Sequence, residues 1–425
     1  MRRDTRTCVI GAGPCGLAAV KNLLEVGCTD VVCYDEHDRI GGNWAFTDDP
    51  GRPSVHAHTR TISSRGLASF LDFPMPAEYS DFPTHRQMLA YFTDYARTFG
   101  LEPHIQTGTR VERCSLDDDG RWTVHVNAHG AARTETFDHL VVCSGHHRDP
   151  FMPEYTGGFT GTTVHSSGYK RADAYRDKRV LVVGGGNSAA DIAVDVARVA
   201  ARTGLSVRGG TYIVPNLIFG RPVDVVYAYW HNKLPPPVLR LALKCWLRLA
   251  IGAWEDHGLP SPTTAPLVTP PTVNSGVLRA VRDGRVVVRR GIDRYEGRTV
   301  HFTDGQAEEF DAIVMATGFR VSFPFLSSQI TGAFPLYLRM MHPTIPSLYF
   351  IGLFQSIGCI WRLADYQARI AALHISGRLR RPNDIEARIR RQASRRHAPA
   401  PRRGIEVDYW ALERQLRRGL AAVAG

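Results

Sequence analysis

Apolar and glycine-rich segments alternate in a fixed order near the start of the chain. A short apolar run, Thr7–Ile10, is followed by the glycine-rich residues 11–16, and apolar residues then recur at helical spacing up to Gly27. A second apolar run, Val31–Tyr34, ends at Asp35. Apolar runs of four residues are typical of buried strands, and apolar residues three or four apart are typical of an amphipathic helix. The pattern therefore predicts a strand, a tight turn, a helix and a second strand.

The same order returns in the middle of the chain. Arg179–Val183 predicts a buried strand, a helix is expected after the turn, through Asp191 to Ala201, and a further strand is expected around residues 205–207. The turn between the first strand and the helix is Gly184-Gly185-Gly186-Asn187-Ser188-Ala189. Alanine at the last position still permits close packing of helix and strand. The residue after the final strand is Arg208, where the first unit has an acid.

Each unit ends in a further buried strand. Residues 121–126 and 136–143 predict a hairpin that leads into a strand, and residues 286–289, 299–302 and 311–318 repeat this arrangement. Both final strands close in a turn of small residues, which are Ser144 and Gly145 in the first unit and Thr317 and Gly318 in the second. We expect the chain to return from the second unit to the first near Gly318.

Glycine-rich turns between a strand and a helix bind the pyrophosphate of a dinucleotide. Glycine lets the backbone approach the phosphates, and the helix N-terminus offers free N–H groups and the positive end of its dipole. Two such turns predict two bound dinucleotides. The residues predicted to contact them are Gly11, Gly13 and Gly16 in the first turn and Gly184, Gly186, Asn187 and Ser188 in the second. We predict that Ser144 and Gly145 contact the first dinucleotide as well, and that Thr317 and Gly318 contact the second.

The residue after each second strand indicates which dinucleotide is bound. Asp35 lies 19 residues beyond Gly16, close to the spacing of about 20 at which a carboxylate hydrogen-bonds a ribose hydroxyl. Arg208 favours NADPH, because a guanidinium binds the 2′-phosphate that a carboxylate would repel; a plain surface arginine is the alternative. A dehydrogenase needs one nicotinamide site, so the first turn is expected to hold a flavin, FAD, which passes electrons from NADPH onward.

The length of 425 residues exceeds the roughly 250–300 residues that one hydrophobic core supports, so about two domains are expected. We predict residues 1–155 and 319–390 as the two parts of an FAD-binding domain and residues 156–318 as the NADPH-binding domain. Proline-rich residues 216–271 form an insertion that either caps the cleft between the domains or is inert. Residues 391–425 are a basic tail. The predicted fold class is α/β, with two Rossmann-like domains of which the FAD domain is discontinuous.

The net charge of +11 is concentrated near the end of the chain. Residues 371–425 contain 13 arginines and 5 acids, which leaves 39 basic and 36 acidic residues elsewhere. Because this region lacks interleaved aromatics, we predict no nucleic-acid partner. Eight cysteines occur without a CxxC pair or metal-ligand spacing, so we predict a reduced, cytoplasmic protein without a metal. The arginine-rich, lysine-poor composition is typical of a high-GC bacterium.

No apolar segment of a secretory signal precedes the first strand. The longest apolar stretch, residues 237–254, is interrupted by Arg240, Lys244 and Arg248, so we predict no integral membrane span. These charges recur every four residues and form a basic stripe on an otherwise apolar helix. Such a helix packs on its own protein with its arginines in water, or lies on a membrane or a partner. Its apolar face is also where we would expect the interface of a homodimer.

Six motifs, spread in order over nearly the whole chain, resemble the class B flavin-containing monooxygenases. They are residues 11–16, 38–44, 72–76, 159–169, 184–191 and 316–319. The fingerprint FxGxxxHxxx(Y/F), which here runs from Phe159 to Tyr169, is specific to this class. The related Baeyer–Villiger enzymes end this fingerprint in tryptophan followed by proline or aspartate, where this chain has Tyr169 and Lys170. The resemblance therefore favours oxygenation of nitrogen or sulfur over oxygenation of ketones.

The resemblance implies a reaction cycle and places further residues. NADPH reduces FAD, O2 forms a C4a-hydroperoxyflavin, and a small nucleophilic amine or sulfide takes the distal oxygen while NADP⁺ stays bound. The resemblance places Gly42, Trp44 and Gln355 at the flavin. The alternatives are that Trp44 is an ordinary core residue and that Gln355 is a plain turn residue. Ile62 and Ser63 are placed near C4a.

Two positions in this pattern leave alternatives open. Ile62 stands where well-known members carry an asparagine that donates to the peroxide, so either other donors hold the peroxide here or it decays to H2O2. His165 either couples NADPH binding to the geometry of the domains, takes part in proton transfer, or is structural. We assign no other catalytic residue.

The two dinucleotide-binding units and the resemblance together predict an FAD- and NADPH-dependent monooxygenase that transfers one oxygen atom of O2 to a nitrogen or sulfur atom. A Baeyer–Villiger ketone monooxygenase and an NADPH oxidase-like redox sensor are the alternatives. A flavin disulfide reductase would share both dinucleotide units but would need a redox cysteine pair, which the cysteine spacing does not provide.

Overall fold

The computed structural model describes residues 5–231, 233–266, 270–331, 335–394 and 404–421. Its α-helices are α1 (Pro14–Glu25), α2 (Arg65–Ala68), α3 (His85–Thr98), α4 (Asn187–Val196), α5 (Val223–His231), α6 (Pro236–Ile251), α7 (Ser275–Arg282), α8 (Ser328–Thr331), α9 (Ile360–Ile375), α10 (Ile385–Ser394) and α11 (Tyr409–Ala421). Local sequence explains several of their starts. Pro14 opens α1, and Thr84 and Gln87 form a capping box at the start of α3.

The strands connect these helices and form two large sheets and several small ones. They are β1 (Thr7–Ile10), β2 (Val31–Tyr34), β3 (Ile105–Gln106), β4 (Thr109–Leu116), β5 (Trp122–Ala128), β6 (Ala131–Phe137), β7 (His139–Val142), β8 (Asp149–Pro150), β9 (Thr162–His165), β10 (Arg179–Val183), β11 (Arg202–Ser206), β12 (Ile213–Val214), β13 (Leu217–Ile218), β14 (Arg221–Pro222), β15 (Thr272–Val273), β16 (Val287–Arg289), β17 (Ile292–Glu296), β18 (Thr299–Phe302), β19 (Ala307–Glu309), β20 (Ala312–Met315), β21 (Phe319–Arg320), β22 (Leu348–Phe350), β23 (Gln355–Ser356) and β24 (Glu406–Val407).

The first domain is built on a five-stranded parallel sheet with the order β22-β7-β1-β2-β3. In its centre, Thr7 of β1 lies opposite Val31 of β2 and His139 of β7. The outer strand β22 pairs with β7, although the whole second sheet lies between them in the sequence. The first domain is therefore discontinuous, as the sequence predicts.

The second domain repeats this architecture with a five-stranded parallel sheet of the order β16-β11-β10-β20-β9. The strand before each glycine-rich turn, β1 or β10, occupies the middle of its sheet. Parallel strands buried on both faces read as continuous apolar runs, which is why the sequence shows them clearly. The predicted α/β class with two Rossmann-like domains is confirmed.

Each large sheet is covered by helices on one face and by a small antiparallel sheet on the other. In the first domain, α1, α3, α9 and α11 contribute to one core cluster, and β4, β5 and β6 form the sheet that contributes Trp122 and Phe137 to a second cluster. In the second domain, α4 and α7 pack on one side and the sheet β17-β18-β19 on the other. This layering leaves the carboxyl ends of the parallel strands and the glycine-rich turns accessible.

Three predictions about local structure need correction. Residues 136–143 are not one strand, because the chain changes sheet at Asp138 between β6 and β7. The helix expected to reach Ala201 ends at Val196, and the strand after it starts at Arg202, before the expected 205. The sequence pattern also missed β4, whose apolar and polar residues alternate on a half-exposed sheet.

The insertion over residues 216–271 shares the core of the second domain. Val223, Leu247, Ile251 and Leu259 are buried in the same cluster as the central strands of that domain. The predicted helix 237–254 is α6, which starts one residue earlier than expected, at Pro236, and ends three residues earlier, at Ile251. A second helix, α5, precedes it. The insertion is therefore attached to the second domain through apolar contacts.

Candidate active site

The first glycine-rich turn is closed by contacts that only glycine permits. Gly11 has φ +101°, and a Cβ there would lie 2.9 Å from the carbonyl oxygen of Cys143. A Cβ on Gly16 would lie 1.8 Å from the carbonyl oxygen of Gly11. Gly13 is the N-cap of α1 and no side chain caps this helix end. The turn therefore presents open backbone at a helix N-terminus, which fits a pyrophosphate.

Asp35 lies where the sequence predicts, at the end of β2 beside this turn. Its carboxylate accepts hydrogen bonds from the backbone N–H groups of Ala12 at 2.6 Å and His37 at 2.8 Å. Burial raises the pKa of this carboxyl, and the two backbone donors oppose that shift. Asp35 therefore ties the strand end to the glycine-rich turn, and its contact with a ribose stays a prediction.

The second glycine-rich turn contains one glycine required by packing and one that packing does not require. Gly184 has φ +141°, and a Cβ there would lie 2.4 Å from the carbonyl oxygen of Ala316. Gly186 is the uncapped N-cap of α4, has φ −93°, and a Cβ there would meet nothing within 4 Å. The open space above Gly186 fits a phosphate group that approaches the helix N-terminus.

Neighbouring residues hold this second turn in place. Asn187 accepts a hydrogen bond from the backbone N–H of Val273 at 2.8 Å, and Thr272 donates to the carbonyl oxygen of Gly185 at 2.7 Å. A cleft beside the turn is lined by Gly184, Gly185, Gly186, Leu205, Val207 and Thr272, among others. The side chain of Asn187 therefore supports the turn from behind.

Arg208 and Ser188 are both exposed near this cleft. Ser188 lies in the first turn of α4, and Arg208 follows Val207, which lines the cleft, just beyond the end of β11. Arg208 is thus exposed just beyond the carboxyl end of this strand, and its contact with a phosphate on the ribose of a bound dinucleotide stays a prediction.

His165, at the end of β9, joins the fingerprint to the point where the chain leaves the second domain. Its Nε2 lies 2.9 Å from the carbonyl oxygen of Gly318, and its Nδ1 accepts from the backbone N–H of Ser167 at 3.2 Å. This pattern assigns the proton to Nε2. Burial lowers the pKa of His165, which favours the neutral ring.

The two chain crossings between the domains run side by side. Strand β8 pairs antiparallel with β21, and the backbone N–H of Phe151 donates to the carbonyl oxygen of Gly318 at 2.9 Å. Thr317 donates its hydroxyl to the carbonyl oxygen of Phe151. The carbonyl of Gly318 therefore receives hydrogen bonds from both His165 and the opposite crossing. The turn of Thr317 and Gly318, predicted to contact NADPH, also lies at the start of the crossing back to the first domain.

The end of the fingerprint contacts the first domain through residues that the sequence analysis missed. Lys170 is buried, and its Nζ donates to the carbonyl oxygen of Arg52 at 2.7 Å, to Ser54 Oγ at 2.8 Å and to the carbonyl oxygen of Ser167 at 3.0 Å. Burial lowers the pKa of Lys170 to about 8. Its position directly after Tyr169 was the one available signal.

A second contact between the domains converges on a buried carboxylate of α4. Asp195 accepts from the hydroxyl of Tyr169 at 2.8 Å, and its carboxylate lies 2.8 Å from Nδ1 of His58. Tyr169 is the last residue of the fingerprint, and His58 belongs to the first domain. Residues 52–58 therefore dock on the end of the fingerprint through polar contacts that no local pattern predicts.

The residues placed at the flavin lie around the carboxyl end of the first sheet. Trp44 packs edge to face against Trp361 at 5.8 Å, so part of its ring belongs to the core. Gln355 Oε1 lies 3.2 Å from Nε2 of His146, which follows Ser144 and Gly145 after β7. The structure thus brings Gln355 to the turn after β7, and Gly42 lies against Gly13 of the glycine-rich turn.

The segment around Ile62 is held by the insertion. Ile62 is 36 % exposed and Ser63 is buried. The next backbone N–H, of Ser64, donates to the carboxylate of Asp224 at 2.6 Å. Asp224 lies in the first turn of α5, and burial raises its pKa. The segment predicted near the flavin thus depends on a carboxylate 160 residues away, which the sequence does not indicate.

The chemistry of the cysteines does not fit a redox pair. All eight are free thiols. Burial raises the pKa of Cys15 to about 12 and raises that of Cys143 as well, whereas a redox-active thiol needs a lowered pKa. Among the described ranges, no group of three or more histidine, cysteine or carboxylate side chains is arranged to hold a metal ion. No helix in the described part of the chain is long and apolar enough to cross a membrane.

Comparisons with known proteins agree with this geometry. The model of the FMO-like, flavin-binding monooxygenase-like family matches residues 4–411. The chain is 31 % identical to flavin-containing monooxygenase 5 of Oryctolagus cuniculus, over 95 % of this chain and 80 % of that protein. It is 33 % identical to dimethylaniline monooxygenase (N-oxide-forming) 2 of Rattus norvegicus, over 89 % of this chain and 75 % of that protein.

Solved structures share the fold at lower identity. The S-allyl-L-cysteine S-oxygenase of Allium sativum has a TM-score of 0.72 and 24 % identity, and the match covers 98 % of this chain and 88 % of that one. An open structure of cyclohexanone monooxygenase has a TM-score of 0.74 and 18 % identity, with coverage of 99 % and 97 %. At these identities the likeness establishes the two-domain fold and not the substrate.

Proposed function

The chain belongs to the flavin-binding monooxygenase-like family, an FAD- and NADPH-dependent group, and we propose that it oxygenates a nucleophilic nitrogen or sulfur atom of a small organic substrate. The observation that carries this proposal is the pair of glycine-only turns, one at the carboxyl end of each sheet, with a neutral, hydrogen-bonded His165 at the crossing between them. The name of the N-oxide-forming relative supports nitrogen as the acceptor. The Tyr169-Lys170 ending of the fingerprint supports the same branch.

We propose that the first turn binds FAD and the second binds NADPH. When bound, FAD accepts electrons from NADPH and activates O2 for transfer of one oxygen atom. Gly11, Gly13 and Gly16 would contact the FAD pyrophosphate. Asp35 would accept from a ribose hydroxyl, because each of its carboxylate oxygens accepts one backbone hydrogen bond and has a further lone pair. The remaining predicted FAD contacts are Gly42, Trp44, Ser144, Gly145 and Gln355.

At the second turn, Gly184 shapes the backbone while Gly186 leaves room for the pyrophosphate of NADPH. Ser188 and the exposed Arg208 would meet the phosphates at the helix N-terminus and on the ribose. The other predicted contacts are Asn187, Thr317 and Gly318. Because Asn187 already supports Val273, we propose that it contributes mainly through its backbone N–H.

We propose that His165 is a positioning residue. Both of its ring nitrogens are used in hydrogen bonds, and its lowered pKa keeps it neutral. Through Gly318 it couples the fingerprint to the paired crossings, so NADPH binding and domain geometry depend on each other. Lys170 and the Tyr169–Asp195–His58 contact would fix the same two domains from the other side.

At the flavin, Ile62 cannot donate a hydrogen bond. We propose that backbone N–H groups around Ser63, held in place by the contact of Ser64 with Asp224, take over part of the role of a donor side chain. The apolar side chain of Ile62 would help to exclude water. We further propose the domain limits 1–155, 156–318 and 319–390, and α11 joins the first domain as well, because it packs in the core of that domain. We also propose a cytoplasmic, bacterial setting in which the buried cysteines stay reduced.

The test is a measurement of NADPH and O2 consumption, H2O2 release and product mass on the purified holoenzyme with a tertiary amine, a thioether and cyclohexanone. We expect the amine or the thioether to yield an N-oxide or S-oxide in amounts that match NADPH consumption. Lactone formation from cyclohexanone alone would favour a Baeyer–Villiger enzyme. Release of H2O2 equal to NADPH consumption with every substrate would favour a redox sensor.

A further inference from the structure

The side chain of Gln355 meets a buried histidine that the sequence analysis did not place in the site. Strands β7 and β22 are adjacent and parallel, so the segments that follow their carboxyl ends meet at one edge of the sheet. His146 lies in the segment after β7, and Gln355 lies in the segment after β22. Nε2 of His146 is 3.2 Å from Oε1 of Gln355, and the histidine is buried.

This contact fixes the orientation of the amide group. An amide oxygen can only accept a hydrogen bond, so the proton of the contact belongs to Nε2 of His146. The NH2 end of the amide is then directed away from the histidine. In the described part of the chain, this nitrogen has no hydrogen-bond acceptor. The side chain of Gln355 therefore offers its N–H groups to a molecule bound at this edge of the sheet.

The main chain of Gln355 is fixed independently of its side chain. Its backbone N–H donates to the carbonyl oxygen of Ile405 at 2.8 Å, and β23 pairs in parallel with β24, where Gln355 lies opposite Glu406. Because the backbone is held, only the side-chain torsions of Gln355 are left to adjust. The contact with His146 therefore decides which end of the amide faces outward.

The ring of His146 is held by a series of ring contacts that reaches the crossing between the domains. Its centroid lies 4.3 Å from that of His147, and the centroid of His147 lies 5.0 Å from that of Phe319. Phe319, in β21, lies 4.9 Å from the ring of His165, which contacts the carbonyl oxygen of Gly318. Tilted and edge-to-face ring pairs at such separations attract each other. The orientation of His146 is therefore set by packing against the crossing.

We propose that His146 is a positioning residue that presents the NH2 group of Gln355 to the ring edge of the bound flavin. This inference rests on the proposed function, because it takes the flavin ring to lie where Gln355 is placed. The ring edge of a flavin carries nitrogen and carbonyl acceptors, and reduction adds two electrons and negative charge to the ring. A donor at this edge stabilises the reduced form more than the oxidised form. His146 therefore raises the reduction potential of the flavin through Gln355.

The test is the midpoint potential of FAD in the purified holoenzyme, measured by anaerobic reduction against a reference dye. His146→Leu removes the donor to Oε1, so the amide can turn its oxygen toward the flavin. We expect the equilibrium constant for reduction to fall about tenfold, which is about 30 mV for a two-electron couple. His146→Gln keeps an N–H donor and should restore most of this shift. His139→Leu is the matched control, because this half-buried histidine lies at the opposite end of β7 and should leave the potential unchanged.

A double variant shows whether His146 acts through Gln355. Gln355→Leu should lower the potential by a similar amount, and adding His146→Leu should cause no further fall, because both changes remove the same contact. An unchanged potential in His146→Leu, an equal fall in His139→Leu or additive shifts in the double variant would overturn the inference.

The potential is measured without a substrate, so the inference and the proposed function fail separately. A holoenzyme that shows these shifts but oxygenates neither the amine nor the thioether would contradict the proposed function and support the inference. A holoenzyme that oxygenates either substrate but keeps its potential in His146→Leu would overturn the inference alone.

Discussion

Replacing Asp224 by alanine should loosen the segment that we place beside the flavin. The carboxylate accepts a hydrogen bond from the backbone N–H of Ser64 at 2.6 Å and one from Val225 at 2.9 Å. The first of these joins the insertion of the second domain to residues 62–64 of the first domain. In Asp224→Ala the partly buried backbone N–H of Ser64 has no charged acceptor.

The size of the effect follows from two opposing contributions. A hydrogen bond to a charged group contributes about 1.5–3 kcal/mol to stability. Burial of the Asp224 carboxylate, visible as its raised pKa, offsets part of this gain. We expect a net loss of about 1–2 kcal/mol, which corresponds to roughly a tenfold rise in local opening of residues 62–64. Water would then reach the flavin more easily, and more NADPH would be consumed with release of H2O2.

Two measurements check this expectation. Hydrogen exchange should show about a tenfold loss of protection at the amide of Ser64 in Asp224→Ala, and the ratio of H2O2 to NADPH should rise. Asp224→Asn keeps an acceptor oxygen and should show a smaller effect. Asp256→Ala removes another carboxylate of the insertion, one that accepts from Ala253, and should change neither quantity. If Asp224→Ala leaves both quantities unchanged, or if Asp256→Ala alters them equally, the contact does not support the flavin segment.

Three further predictions concern the second domain. Gly186→Ala should fold and bind FAD, because its Cβ meets only open space, but it should raise the KM for NADPH, whose pyrophosphate needs that space. Gly184→Ala should instead lower the melting temperature, because its Cβ would collide with the carbonyl oxygen of Ala316. Equal KM values for wild type and Gly186→Ala would contradict the proposed pyrophosphate site. Arg208→Gln should raise the KM for NADPH by about tenfold or more and leave the KM for NADH unchanged in steady-state assays, and a parallel change in both would refute its contact with the 2′-phosphate. The hydrogen bond from Arg179 lowers the pKa of Asp311 to about 2. The ionised Asp311 therefore stabilises the folded protein fully above about pH 4, and this contribution is lost as the pH falls towards 2. Asp311→Asn should therefore lower the free energy of unfolding, measured in urea, at pH 7 but not at pH 2. An equal loss at both pH values would contradict the role of the ionised carboxylate.

The parts of the site that could be predicted are those set by local requirements. Gly11 and Gly184 need a backbone conformation and a close approach that other residues rarely permit, and so they appear as motifs. Asp35 follows at a spacing fixed by the length of one helix and one strand. Arg208 is visible for the same reason. The break at Asp138 was missed because Phe137, at the end of the otherwise polar and exposed strand β6, lies close to the apolar residues of β7, so the two read as one run.

Contacts between distant segments could not be predicted in this way. Nothing near Asp224 in the sequence indicates that its carboxylate meets the backbone of Ser64, and nothing near Ser54 indicates Lys170. Similarly, the basic residues at every fourth position of α6 indicate an amphipathic helix, but only packing decides that Leu247 is buried and Leu249 is 87 % exposed.

The sequence by itself therefore determined the two dinucleotide-binding units, their order and the family, because strand burial, turn geometry and helix periodicity are local and repeat at short spacing. The tertiary structure decided how the two domains meet at His165 and Lys170, which carboxylate holds residues 62–64, and which side of the insertion is left exposed. These features depend on side chains that lie far apart along the chain. Their contacts arise from the packing of complete domains, which local propensities do not specify.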